Sequence, residues 1–158
     1  MKLTDSLIIN TKETIKQLAN INMSEMKPYI TRNLILGNCV NVVMGVSGIF
    51  SGQIIVGFTQ NLVVYLASKM LGNMVITLDE QVKRSIFDLC KVIIGNSCIS
   101  LFDSGVSVKI TSSSIINGEN IEYSSIGQKI TCIPFEAQQG KMIVYLQLSD
   151  SNDKYVDD

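Results

Sequence analysis

From Leu78 to Phe102, apolar residues recur at Val82, Ile86, Leu89, Cys90, Ile93 and Leu101, with Ser97 in the same register. Gln81, Arg84, Asp88, Lys91 and Gly95 fall at a second set of positions, also three and four apart. That spacing puts the two sets on opposite faces of one long helix. Such a helix buries its apolar face only against another layer of structure. The segments before and after it are rich in Ile, Val and Phe and punctuated by glycine, so they are read as the strands of that layer. The order helix, strands, helix, helix, strands predicts one α+β domain, with helices packed on a largely antiparallel β-sheet.

The remaining elements follow from the same periodicities. Leu7, Ile8, Thr11, Ile15, Leu18, Ala19 and Ile21 make a near-helical stripe over residues 4–21, with Thr4 as N-cap. Strands are expected at about 29–36, 39–47 and 52–58, apolar enough to be buried on more than one face. A second helix covers residues 60–72, stopped by Gly72. Thr77 or Asp79 caps the long helix. Strands are expected again at 106–111, as a pair around Asn117-Gly118, at 129–134 and at 141–148, with a turn at Gln139-Gly140. The domain is placed at residues 1–148. Residues 149–158 carry four aspartates without periodicity and are read as a flexible acidic tail.

Composition removes several functions. The chain of 158 residues has no histidine, which excludes His-based triads, phosphohistidine chemistry and the common zinc sites. A formal charge of −1 gives no basic footprint for nucleic acid or an anionic membrane. The most apolar run, 33–58, is interrupted by Asn38, Asn41, Gly45, Gly48, Ser51 and Gly52, so it reads as strands rather than a membrane span. Asp5, Lys12 and Glu13 interrupt the N-terminal segment before it reaches signal-peptide length, and a cytoplasmic protein is expected. Cys39, Cys90, Cys98 and Cys132 form no CxxC pair and are read as buried free thiols. There is no GxGxxG or P-loop, and the glycines of 45–52 are read as turn residues. No cofactor and no metal are expected.

The polar stripe of the long helix is the informative constellation. Asp88 and Lys91 share a face, with Arg84 one turn before Asp88. Taken alone, that pattern is satisfied by a solvated face of i,i+3 and i,i+4 ion pairs, each contributing about 0.3–0.5 kcal/mol.

Several stretches stand out in order along the chain: 46–58 (Val-Ser-Gly-Ile-Phe-Ser-Gly-Gln-Ile-Ile-Val-Gly-Phe), 67–72 (Ala-Ser-Lys-Met-Leu-Gly), 89–96 (Leu-Cys-Lys-Val-Ile-Ile-Gly-Asn), 114–118 (Ser-Ile-Ile-Asn-Gly), Ile133-Pro134-Phe135 and Gly140-Lys141-Met142. In this consistent order, over residues 5–148, they resemble the CheX family of chemotaxis phosphatases, within the CheC/CheX/FliY group. The resemblance implies removal of phosphate from the aspartyl phosphate of a CheY-type response regulator. A Glu-x-x-Asn signature on the long helix would do this: the glutamate pairs with a lysine of the regulator, and the asparagine carboxamide orients the attacking water. The regulator supplies the Mg2+.

Aligned on Ile93-Ile94-Gly95, this chain has Asp88 at the glutamate position and Lys91 at the asparagine position. No Glu-x-x-Asn occurs elsewhere: Glu13, Glu25, Glu80, Glu119, Glu122 and Glu136 are followed three residues on by Lys16, Pro28, Lys83, Glu122, Ser125 and Gln139. The resemblance therefore implies a protein that binds a CheY-type response regulator through Gln81, Arg84, Asp88 and Lys91, with a degenerate phosphatase site. The alternatives are an active phosphatase of the regulator and a dimeric assembly or flagellar-switch protein. The resemblance also implies a homodimer joined through its sheets.

Overall fold

The computed structural model describes residues 2–118, 121–123 and 128–150. Its elements run α1 (Leu3–Ala19), β1 (Ser24–Glu25), β2 (Tyr29–Thr31), β3 (Leu34–Leu36), β4 (Val40–Gly48), β5 (Phe50–Phe58), α2 (Gln60–Leu71), α3 (Glu80–Asp103), β6 (Val108–Asn117), β7 (Ile121–Tyr123), β8 (Ile130–Ala137) and β9 (Gly140–Asp150). A seven-stranded antiparallel sheet has the order β1-β8-β9-β5-β4-β6, with β2 also paired to β8. The fold is the expected α+β arrangement.

Alternation along the central strands sorts side chains to two faces. Val40, Val42, Met44 and Val46 of β4, Ile54, Val56 and Phe58 of β5, and Met142, Val144 and Leu146 of β9 join the main core with the helices. The residues between them point the other way. Val43, Ile55, Tyr145, Ile130 and Cys132 form a second buried cluster with Leu36 of β3, and Ile121 of β7 packs against it. The small β3–β7 sheet thus covers the face of the main sheet opposite the helices. This is why the strands read as continuously apolar.

The structure corrects five details. The expected strand 29–36 is two strands in two sheets. Thr31 Oγ1 donates to the Asn33 carbonyl at 2.8 Å and accepts from the Asn33 N–H at 3.3 Å, closing a side-chain turn that redirects the chain. The expected pair around Asn117-Gly118 is not a hairpin. β6 is continuous to Asn117, Gly118 donates to the Cys39 carbonyl at 3.3 Å, and β7 pairs with β3. Thr4 does not cap α1: the N-cap is Lys2, and Thr4 lies buried inside the first turn. Leu18 is 45% exposed, so it lies off the buried face of α1. β9 also extends to Asp150, into the stretch read as a tail; residues 151–158 lie outside the described residues.

The helices that position the exposed face of α3 form as read. Gly72 adopts the left-handed conformation (φ 73°) and donates to the Ser68 carbonyl, ending α2. Asp79 caps α3, its carboxylate accepting from the Val82 N–H at 2.9 Å. Val82, Ile86, Leu89, Cys90, Ile93, Ile94, Ser97 and Leu101 are buried. Among the described residues α3 is the helix long and apolar enough to cross a membrane, and this buried stripe accounts for much of that apolarity. α1 is clamped beside it by polar contacts. Ser6 Oγ donates to the Ser97 carbonyl at 2.9 Å, and Asn10 Nδ2 donates to Ser100 Oγ at 3.2 Å.

The core ties stability to alkaline pH. Burial pushes the Cys90 thiol up, the Cys132 thiol up to about 11 and the Tyr145 hydroxyl up to about 12. Below about pH 8 these groups are protonated in both folded and unfolded chains, and their full contribution is present. Above it the unfolded chain ionises first, so stability falls as pH rises towards the folded values. A thermal melt series from about pH 8 to about pH 11 is expected to show Tm falling throughout the upper half. A flat profile would contradict burial of these groups.

Candidate functional site

α3 has its inner face fixed by the sheet and α1 and its start fixed by Asp79, so its outer face is held rigidly. Gln81, Arg84, Asp88 and Lys91 are all exposed there, and Gly95 is half-buried. The structure brings the four sequence-derived residues onto one continuous strip.

The local ion pairs do not form. Among the described residues, Asp88 makes no ion pair and no side-chain hydrogen bond with Lys91, Arg84 or any other side chain. The short pair on this helix joins Lys83 to Glu80, at 3.4 Å. Lys91 instead lies with Nζ 5.6 Å from the centre of the half-buried Phe87 ring. That is cation–π geometry, attractive because the ring face is electron-rich. The Asp88 carboxylate therefore keeps its full acceptor capacity for a partner, and the Lys91 ammonium is parked on an aromatic ring rather than on an acid.

Arg84 and Phe87 also line a shallow pocket of about 280 Å3, with Glu80, Lys83 and Ile115 of β6. Phe87 is the residue that sequence reasoning missed. It sits between the apolar and polar stripes, and its signal was the i,i+4 spacing to Lys91. Three exposed apolar residues further along α3, Val92, Ile99 and Phe102, were missed as well. Asn96, the nearest carboxamide in sequence, is exposed but five residues beyond Lys91, about 140° around the helix, and does not substitute for it.

A second polar cluster lies on the far side of the sheet. Asn38 Nδ2 donates to the Tyr145 hydroxyl at 3.0 Å, and Asn41 Nδ2 donates to the Asn38 carbonyl at 3.1 Å. Cys132 and Tyr145 there have raised pKa values from burial, so both stay protonated near neutrality. The cluster offers no nucleophile or base.

Comparison with known proteins identifies the family and the fold. The family model for the chemotaxis phosphatase CheX matches residues 40–136. The CheY-P phosphatase CheX of Thermotoga maritima is 25% identical over 127 residues, covering 80% of this chain and 82% of that protein. The crystal structure of the chemotaxis protein CheX from Desulfovibrio desulfuricans has a TM-score of 0.84 at 22% identity, covering 93% of this chain and 99% of that one. A CheX–CheY–BeF3–Mg2+ complex from Borrelia burgdorferi matches with a TM-score of 0.78 at 21% identity, covering 95% of this chain and 99% of that one. The chain belongs to the CheX family.

Among the described residues, the Asp88 side chain makes no contact that holds the fold and Lys91 rests only on Phe87, and stability measurements check this. Asp88→Ala is expected to change the unfolding free energy by less than about 0.5 kcal/mol, because no partner is lost. Lys91→Ala is expected to cost no more than about 1 kcal/mol, the value of an exposed cation–π contact. Asp79→Ala, which removes the cap, is expected to cost about 1 kcal/mol. Denaturant titration of the three variants separates these outcomes, and a large loss for Asp88→Ala would contradict the free strip.

Proposed function

We propose that this CheX-family protein docks a CheY-type response regulator through the outer face of α3 and does not hydrolyse its acyl phosphate at an appreciable rate. The observation that carries this reading is the pair Asp88 and Lys91, exposed together on one face of α3; the resemblance aligns Lys91 with the family's asparagine. Family membership and the likeness to a CheX captured with CheY support the partner. The cytoplasm, where such regulators act, is the proposed location.

The chemistry follows from donor and acceptor capacity. Phosphoryl transfer to water is accelerated mainly by holding the water in line and stabilising charge on the phosphoryl oxygens. A carboxamide both donates and accepts, so it can hold a water by one of the water's protons. A lysine ammonium has three donors and no acceptor. Lys91 can bind the phosphoryl oxygens but cannot accept a hydrogen bond from the attacking water. Pairing with the phosphoryl oxygens holds the phosphorylated regulator but leaves the attacking water unplaced, so Lys91 supplies binding without the positioning on which hydrolysis depends. Asp88 keeps the negative charge that pairs with a lysine of the regulator, one methylene shorter than glutamate. Arg84 and Gln81 extend the contact. The complex then shelters the phosphoryl group rather than removing it.

The sheet supports a second part of the reading. β6 is the last strand of the main sheet, and its outer edge has no strand partner among the described residues. An unpaired edge of this length presents backbone donors and acceptors to another strand. We propose that two copies join along it, which light scattering on the eluted protein tests by returning twice the monomer mass.

The activity test is the lifetime of the acyl phosphate on a CheY-type regulator. Wild-type protein is expected to leave the decay rate unchanged or slower. The double change Asp88→Glu with Lys91→Asn is expected to accelerate decay at least about tenfold, the lower range for positioning a reactant group. Accelerated decay with the wild type would overturn the sheltering role and require another residue to position the water.

A further inference from the structure

We propose that Gly95 is the point of closest approach of the docked regulator, and that Val92, Ile99 and Phe102 around it form the apolar half of the docking surface. The inference rests on the docking role of α3 proposed above and adds to it residues beyond Asp88 and Lys91.

Gly95 lies in the interior of a 24-residue helix, where glycine is among the poorest helix formers. Among the described residues, nothing inside the chain requires it. A Cβ built there meets no atom within 4 Å, and Gly95 is not among the residues with positive φ. Gly140 shows what a structural requirement looks like. Its φ is +149°, and a Cβ there would lie 2.7 Å from the Cβ of Leu62. The helix therefore gives up stability at residue 95 without an internal return. The return lies outside the chain, on an exposed surface where a missing side chain lets another molecule approach the backbone.

The surroundings of Gly95 identify what approaches. On the helical lattice its neighbours at i−7, i−4, i−3, i+4 and i+7 are Asp88, Lys91, Val92, Ile99 and Phe102. Val92 is 43% exposed, Ile99 60% and Phe102 68%. Single exposed apolar residues are ordinary, whereas a cluster contiguous with a charged recognition pair marks an interaction site. The gap at Gly95 lies about 10 Å along the axis from Asp88 and about 6 Å from Lys91. A globular partner that reaches both charged side chains therefore overlies it. The occupant is the regulator: Asp88 and Lys91 supply charge recognition, and the glycine gap with its apolar rim supplies the desolvated contact on which affinity depends.

The test exploits opposite effects on stability and binding. Gly95→Ala and Gly95→Leu both fit the free chain and improve helix propensity, so both are expected to raise Tm by about 2–4 °C. Binding to the cognate CheY-type regulator, measured by calorimetry, is expected to weaken about threefold for Gly95→Ala and at least about tenfold for Gly95→Leu. A structural role would move stability and binding in the same direction. Ile99→Ser and Phe102→Ser are each expected to weaken binding severalfold and to leave Tm close to wild type. If Gly95→Leu binds as wild type while Asp88→Arg does not, the regulator docks on α3 but does not cover Gly95, and this inference alone fails. If wild type binds no regulator, the docking reading fails and takes the inference with it. If Gly95→Leu leaves regulator binding intact but changes the oligomeric mass, the occupant is a second copy of the chain and the assignment to the regulator is wrong.

Discussion

Everything on the outer face of α3 depends on the burial of its inner face. Ile86, Cys90, Ile93, Ile94 and Leu101 lie fully buried against a sheet whose central strands are themselves apolar on the facing side. That packing fixes the rotation of the helix about its own axis. Rotation decides which residues reach solvent, and so it decides that Asp88 and Lys91 stand together on an accessible strip. The Ser6–Ser97 and Asn10–Ser100 contacts hold α1 alongside without adding bulk, leaving the strip open. A rigid helix presenting side chains is a better recognition device than a loop, because little ordering entropy is lost on binding.

On the proposed reading, a small change on this face separates chemistry from recognition. Substituting lysine for a carboxamide removes every acceptor at that position while adding a charge. The helix, its cap and its packing are indifferent to the difference, since Lys91 rests on Phe87 and takes no part in the core. On that reading the fold loses its water-positioning group without disturbing the core. The proposed docking surface persists because its apolar components, Val92, Ile99 and Phe102, lie elsewhere on the helix.

Much of this architecture was legible in the sequence. The helices could be read because their apolar stripes have clean three-and-four spacing and their ends carry Asp79 and Gly72. The strands could be read from their β-branched content. The β3–β7 layer could not. It depends on Thr31 and Asn33 closing a side-chain turn and on Gly118 bonding to Cys39, and both are contacts that local periodicity does not encode. In the site, the stripe Gln81–Arg84–Asp88–Lys91 followed directly from helical geometry. The posture of Lys91 did not: charge spacing favoured a bond to Asp88, whereas the structure places it over an aromatic ring one turn away. Gly95 was visible as part of the stripe, but only the emptiness around it separates it from a glycine required by packing.

The central claim is that a phosphorylated regulator sits on the exposed face of α3. Mapping amide chemical-shift changes in this protein on addition of a phosphorylated CheY-type regulator tests it most directly. The largest changes are expected between Gln81 and Phe102 on the outer face, centred on Asp88, Lys91 and Gly95, with the buried positions of the same helix moving little. Changes confined to the β6 edge or to the β3–β7 face, with α3 unperturbed, would contradict it.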